Sequence, residues 1–185
     1  MVSDLIKKCR SFRRFNQDKR ISFEELYEIA SNVRYTPSAA NLQRLRFALF
    51  CNESDCSEIF SGLRFAGYLT EWSGPADSER PCAYIVIASE SALDFNLAID
   101  LGICAEAILL AATEKGAGGC IFRSFNAEGL ASLLPEGLVP HAVIALGYPS
   151  ETVVITDSKN GEIKYFRDSG DRHVVPKLPL DKIII

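Results

Sequence analysis

The sequence predicts an α+β fold in one domain spanning residues 1–185. Three observations predict it. The runs AYIVIAS (83–89) and HAVIALG (141–147) are apolar and β-branched, with the length of buried strands. The stretch 95–115 is apolar nearly all round and has the length of a helix, so it should be central and buried on most sides. Strand-like and helix-like segments then mix irregularly along the chain, with no repeat, low-complexity tract or linker between them.

Taken in order, Ser3 and Asp4 can cap a short first helix. Ser22-Phe23-Glu24-Glu25 fits a capping box, and Leu26, Ile29, Ala30 and Val33 follow at helical spacing, which predicts a helix over 23–34. Thr36-Pro37-Ser38 breaks it, and SAANLQ can start another helix from Ser38. RFALFC (46–51) reads as a strand, and 55–63 and 64–71 as helices. After the long helix, Gly116-Ala117-Gly118-Gly119 ends it and CIF (120–122) is a short strand. A helix is expected near 127–133 and a late exposed strand at 161–168. The tail HVVPKLPLDKIII carries two prolines and reads as an extended arm whose three terminal isoleucines need cover.

Hydrophobic residues at 48% and charged residues at 24% exclude a disordered chain, a collagen and a disulfide-stapled scaffold. The net charge of −4 argues against general nucleic-acid or membrane-surface binding. The charge is uneven: residues 1–20 hold seven basic residues and two acids, either a solvated surface or a seat for an anion. MVSDLIKKCRSFRRF has charges where a signal peptide is apolar, and Asp100 and Glu106 interrupt the longest apolar stretch, so neither secretion nor a membrane span is expected. Six cysteines form no C-x-x-C pair and fit free thiols in a cytoplasmic protein. Two histidines, His141 and His173, lack metal-ligand spacing. There is no G-x-S-x-G and no P-loop. GAGGCI (116–121) imitates a dinucleotide fingerprint but follows a helix and precedes a strand, the wrong order for phosphates at a helix N-terminus.

Three segments carry a resemblance: Arg10-Ser11-Phe12-Arg13-Arg14-Phe15, then Pro37-Ser38-Ala39-Ala40-Asn41-Leu42-Gln43, then Asp100-Leu101-Gly102 through Gly118-Gly119-Cys120 to Ala145-Leu146-Gly147-Tyr148-Pro149. In this order and separation they resemble the FMN-dependent nitroreductase family over nearly the whole chain. YLTEWSGP (68–75), ERPCAYIVI (79–87) and the tail are similar to a clostridial-type branch. The resemblance implies a mixed β-sheet flanked by helices in an intertwined homodimer, with an extended C-terminal arm and two FMN sites at the interface. It implies NAD(P)H as reductant, ping-pong hydride transfer through flavin N5, and a small-molecule electron acceptor such as a nitro compound, quinone or enone.

The resemblance also gives residues roles. Arg10 and Arg13 hold the FMN phosphate by charge-assisted hydrogen bonds, with Ser11 beside them and Lys177 adding a cation from the tail. Pro37, Ser38, Ala39, Asn41 and Gln43 come from the other subunit and line the ribityl chain and ring edge. Gly118 and Gly119 let backbone approach the ring, and the chain at 121–124 points N–H groups at its reactive edge. The sequence departs from the family at Cys9, Arg44, Leu178 and above all Arg123, which stands beside flavin N5 where relatives carry glycine or an acid. Arg123 keeps open an alternative, a flavin-binding sensor or carrier without turnover. Cys9 and Leu178 keep open a scaffold that has lost FMN.

Overall fold

The computed structural model describes residues 1–185. Two strands, β1 (Arg46–Phe50) and β2 (Ala83–Ser89), pair antiparallel with Leu49 opposite Ile85. With β3 (Gly118–Phe122) and β4 (Val139–Gly147) they form a four-stranded antiparallel sheet in the order β1-β2-β4-β3. A second sheet holds β5 (Val153–Asp157), β6 (Phe166–Arg167) and β7 (His173–Lys177). There β7 pairs parallel with β5 and antiparallel with β6, so the mixing of strand directions is in the smaller sheet.

Side chains alternate across a strand, and β2 buries both of its faces. Ile85 and Ile87 join Ile144 and Leu146 of β4 on one side, where α2 (Phe23–Ser31) and α4 (Phe95–Glu114) supply Leu26, Ile29, Leu101 and Ile108. Tyr84 and Val86 join Val143 and Ala145 on the other, where α3 (Glu53–Ser61) and α5 (Ala127–Ala131) supply Ile59 and Leu130. Helices on both faces explain why β2 and β4 read as continuous apolar runs. The short α1 (Val2–Lys8) buries none of its own residues. Ser22 caps α2 by accepting the Glu25 N–H at 3.1 Å, as the capping box predicts.

Four expectations need correction. Residues 38–43 form no α-helix; Ala39–Asn41 is one tight turn, and Ala40, Asn41 and Gln43 all take positive φ, which a helix excludes. Residues 64–71 are turns, with Ala66 at φ 39 and the Phe65 ring edge-on to Trp72 at 6.0 Å. The late strand shrinks to Phe166–Arg167 because Asn160 and Gly161 both turn left-handed. The long helix buries eight of its twenty residues, not most of its surface: Phe95, Ile99 and Glu106 face outward, with Ile103, Ala107 and Leu110 half-buried along the same stripe. The tail contributes β7 before it turns extended, and its terminal isoleucines are exposed.

Candidate functional site

The basic N-terminal segment lies along β3. Ser11 pairs with Gly119 as a parallel bridge, and the Phe12 N–H donates to the Gly119 carbonyl at 3.0 Å. Phe15 is buried against Gly147, where its side-chain carbons lie 2.8–3.0 Å from any added Cβ, and its N–H donates to the Glu79 carbonyl at 2.9 Å. The backbone N–H groups of Arg13 and Arg14 both donate to Oε1 of Glu151, the second at 3.1 Å. Arg167 donates to Oε2 at 2.8 Å, and the Glu151 side chain is only 2% exposed. This carboxylate is satisfied within the chain and fixes the turn that carries Arg13.

The arginines divide by partner. Six are half-buried: Arg10, Arg13, Arg14, Arg44, Arg80 and Arg167. Four of them have a carboxylate within 4.0 Å: Arg14 with Glu79 and Asp171, Arg44 with Asp94, Arg80 with Asp77, Arg167 with Glu151. Arg10 and Arg13, on either side of Ser11, have none. Arg10 donates Nη2 to the Ile6 carbonyl at 2.8 Å, while its Nε is buried without a partner. Arg13 lies over the Tyr165 ring at 5.0 Å and places Nη1 3.1 Å from Nε2 of His173. Burial, then the Arg13 charge, push the His173 pKa down to about 4, so the ring is neutral. With Nε2 accepting from Arg13, the proton sits on Nδ1, which has no partner.

The second group of predicted residues lies on the loop from Thr36 to Gln43, docked on α4. The Ala39 N–H donates to Oδ1 of Asp100 at 2.9 Å. Asp100 is 3% exposed, and its Oδ2 is buried without a partner. Ser38 Oγ accepts the Gln43 N–H at 3.2 Å, and Thr36 Oγ1 lies 3.2 Å from the Cys104 thiol. Ser38, Asn41, Gln43 and Asp100 line a cavity of about 330 Å³. Three non-glycine residues at positive φ in five are costly, and such strain collects at functional sites.

One chain does not bring the two groups together. Asp100 anchors the loop, whereas Leu109 packs where a Gly119 Cβ would be, nine residues further along α4. At 1.5 Å per residue that is about 14 Å. Lys177 is also apart: Arg13 meets His173 at the start of β7, and Lys177 lies at its exposed far end. Gly118 and Gly119 are not open to a ligand at Cα. A Cβ on Gly118 would meet Phe12 at 2.6 Å, and one on Gly119 would meet the Ala145 carbonyl at 2.5 Å. Both glycines are needed by the packing of this chain itself. Arg123 is exposed on the segment that leaves β3. Glu151, Tyr165 and the paired role of His173 carried no sequence signal, being an acid, an aromatic and a histidine in stretches without periodicity. Asp100 had one: it is one of two carboxylates that interrupt an apolar helix, and the one the helix buries.

Residues 6–61 match the model of the nitroreductase family. The fold matches solved structures along most or all of its length. An FMN-dependent nitroreductase from Clostridium difficile R20291 is 20% identical, covering 87% of this chain and 92% of that one at a TM-score of 0.64. An enone reductase of gut-bacterial fatty acid saturation is 19% identical, covering 85% and 93% at 0.67. A Staphylococcus epidermidis protein assigned as an NAD(P)H:FMN oxidoreductase is 16% identical, covering 100% and 95% at 0.71. No curated protein matches the sequence.

The chain is nitroreductase-like in sequence and in fold. The matched 56-residue stretch holds both the Arg10–Arg13 segment and the loop that carries Ser38 and Asn41. A flavin mononucleotide suits the nitroreductase-like arrangement at both of its ends. The Arg10 and Arg13 guanidiniums offer charge with no carboxylate within 4.0 Å. At the loop, Asp100 Oδ2 is a buried acceptor without a donor, and a ribityl chain is rich in hydroxyl donors.

Proposed function

We propose that this chain is an FMN-dependent NAD(P)H oxidoreductase that works as a homodimer. The observation that carries the reading is that the Arg10 and Arg13 guanidiniums, alone among those of the half-buried arginines, have no carboxylate within 4.0 Å. Two guanidiniums and one hydroxyl carried on four consecutive residues suit a phosphate monoester, which accepts several charge-assisted hydrogen bonds at once. When bound, FMN supplies hydride acceptance from NAD(P)H and delivery to a second substrate. Arg10, Ser11 and Arg13 hold the phosphate. Glu151 holds the backbone that positions Arg13. Pro37, Ser38, Ala39, Asn41 and Gln43 of a second copy border the ribityl chain and the ring edge. The separation of the two groups along α4, and the outward stripe of Phe95, Ile99 and Ile103, favour that second copy as the source of the loop. Lys177 reaches the phosphate only if the tail moves or another copy supplies it. The acceptor is a small molecule of the nitro, quinone or enone type, and the protein is placed in the cytoplasm.

The test is chemical. The purified protein is expected to be yellow, with FMN as the flavin released on denaturation and resolved by chromatography. Stopped-flow mixing with NADH and with NADPH is expected to bleach it within seconds. FAD as the main species, or no uptake of added FMN, defeats the reading. Bound FMN that neither nucleotide reduces would select the sensor or carrier role that Arg123 suggests.

A further inference from the structure

A second cationic place lies at the opposite end of β3 from the phosphate arginines. The segment Ser61–Arg64 runs antiparallel to 123–126, stitched by the Leu63–Phe125 bridge. The Arg64 N–H donates to the Ser124 carbonyl at 3.1 Å, and the Asn126 N–H to the Gly62 carbonyl at 2.9 Å. This stitching sets Arg64 across from Ser124 and next to Arg123. The paired segments together line an open concavity of about 660 Å³, and no acidic residue is among its lining. Neither guanidinium has a carboxylate within 4.0 Å, in a chain with 24 acids. Two like charges on neighbouring positions repel, and an anion between them offsets that cost. Asn126 spends its Oδ1 on the Gly129 N–H at 3.3 Å and keeps its NH2 group to donate. Arg123 stands four residues beyond Gly119, the bridge partner of Ser11, and so roughly 13 Å along the strand direction, within the span of an extended cofactor whose phosphate the flavin reading seats at Ser11.

We propose that Arg64 and Arg123 seat a carboxylate of the electron acceptor, so that the enzyme prefers anionic acceptors over neutral ones of the same shape. The proposal rests on the flavin reading for the word acceptor, but the anion seat can be tested without turnover. A planar carboxylate matches the guanidinium fork, and two forks fix its orientation relative to the ring. The residues are specificity determinants, since they touch the far end of the substrate rather than its reacting atoms.

Two measurements decide it, made at one ionic strength because exposed charges are screened. In the first, the FMN-saturated protein is titrated calorimetrically with benzoate and with benzyl alcohol. Benzoate is expected to bind about tenfold more tightly, and Arg64→Gln and Arg123→Gln are each expected to remove most of that preference. In the second, 4-nitrobenzoate and 4-nitrobenzyl alcohol are compared as acceptors. The ratio of their kcat/KM values is expected to fall about tenfold in either variant, while Arg64→Lys keeps an intermediate ratio. Equal binding of benzoate and benzyl alcohol overturns the anion seat, whatever the activity. A benzoate preference that survives both Gln substitutions overturns it too, because the anion then sits elsewhere. If neither nitro compound is reduced and no flavin bleaches, the oxidoreductase reading fails alone, and the titration still decides the seat.

Discussion

Arg13 touches a backbone carbonyl, a neutral imidazole and a phenol ring, and none of these cancels its charge. Removing one partner of a charged hydrogen bond costs about 1.5–3 kcal/mol, or roughly ten- to a hundredfold in affinity. Arg13→Ala should therefore weaken FMN by about that factor and leave riboflavin, which lacks the phosphate, nearly unchanged. Arg10→Ala should behave alike, and the double variant should fall short of the sum because both cations meet one group. Flavin fluorescence titrations of each protein with each ligand read these affinities. Equal losses for FMN and riboflavin would mean that the arginines support the fold or the ring pocket instead. At this scale the sequence singled out Arg10 and Arg13, and the structure leaves both guanidiniums without a carboxylate within 4.0 Å. The sequence was silent on Glu151, because what makes that acid special is burial against residues 138 positions earlier.

The same segment makes β7 sensitive to acid. His173 is 1% exposed, with its pKa pushed down to about 4 against an ordinary 6.5. The unfolded chain therefore binds more protons than the folded one between those values, and stability falls as pH drops from about 6.5 to about 4. The full loss amounts to about 3 kcal/mol, and it stops growing below the folded pKa. Urea titrations of the wild type across that window should show this slope, and His173→Phe should flatten it. A slope unchanged by the substitution would assign the acid sensitivity to other groups. A second element-scale expectation concerns β3. Gly119→Ala drives a methyl into the Ala145 carbonyl and Leu146, and overpacking of that kind costs about 1–3 kcal/mol. A denaturation midpoint matching wild type would show that β3 can shift to make room. Elements were legible where one period dominates: β2 spans residues 83–89, as its apolar run predicts, and α4 spans nearly all of 95–115. They were not legible where backbone dihedrals decide. Nothing in SAANLQ announces three left-handed residues, and β5 exists because β7 pairs beside it.

For the molecule as a whole, the incomplete cover of α4 leaves a stripe of apolar surface open. Phe95 and Ile99 are exposed at 80% and 47%, and Ile183, Ile184 and Ile185 add another apolar cluster. A soluble monomer rarely carries so much. Light scattering at micromolar protein should report twice 20.4 kDa. Obligate interfaces often exceed about 2,000 Å², so dilution should not dissociate a flavin-loaded dimer without unfolding it. A folded monomer that holds FMN would contradict both the shared site and the separation argued from α4. The α+β class was readable from the mixture of runs, whereas the division into two sheets was not, because it depends on pairings far apart in the chain.

The clasp between Arg13 and Glu151 also sets a timetable for synthesis. The contacts that hold residue 13 come from residues 151 and 173, so they span 138 and 160 positions. Such closures are slow to form, since a long stretch must be ordered before they return anything. On the ribosome, the basic segment emerges first and waits for nearly the entire chain. A nascent chain stalled before Glu151 should therefore carry folded α2 and β1 yet hold no cofactor. Colour, in a translating cell, would then report completion rather than initiation.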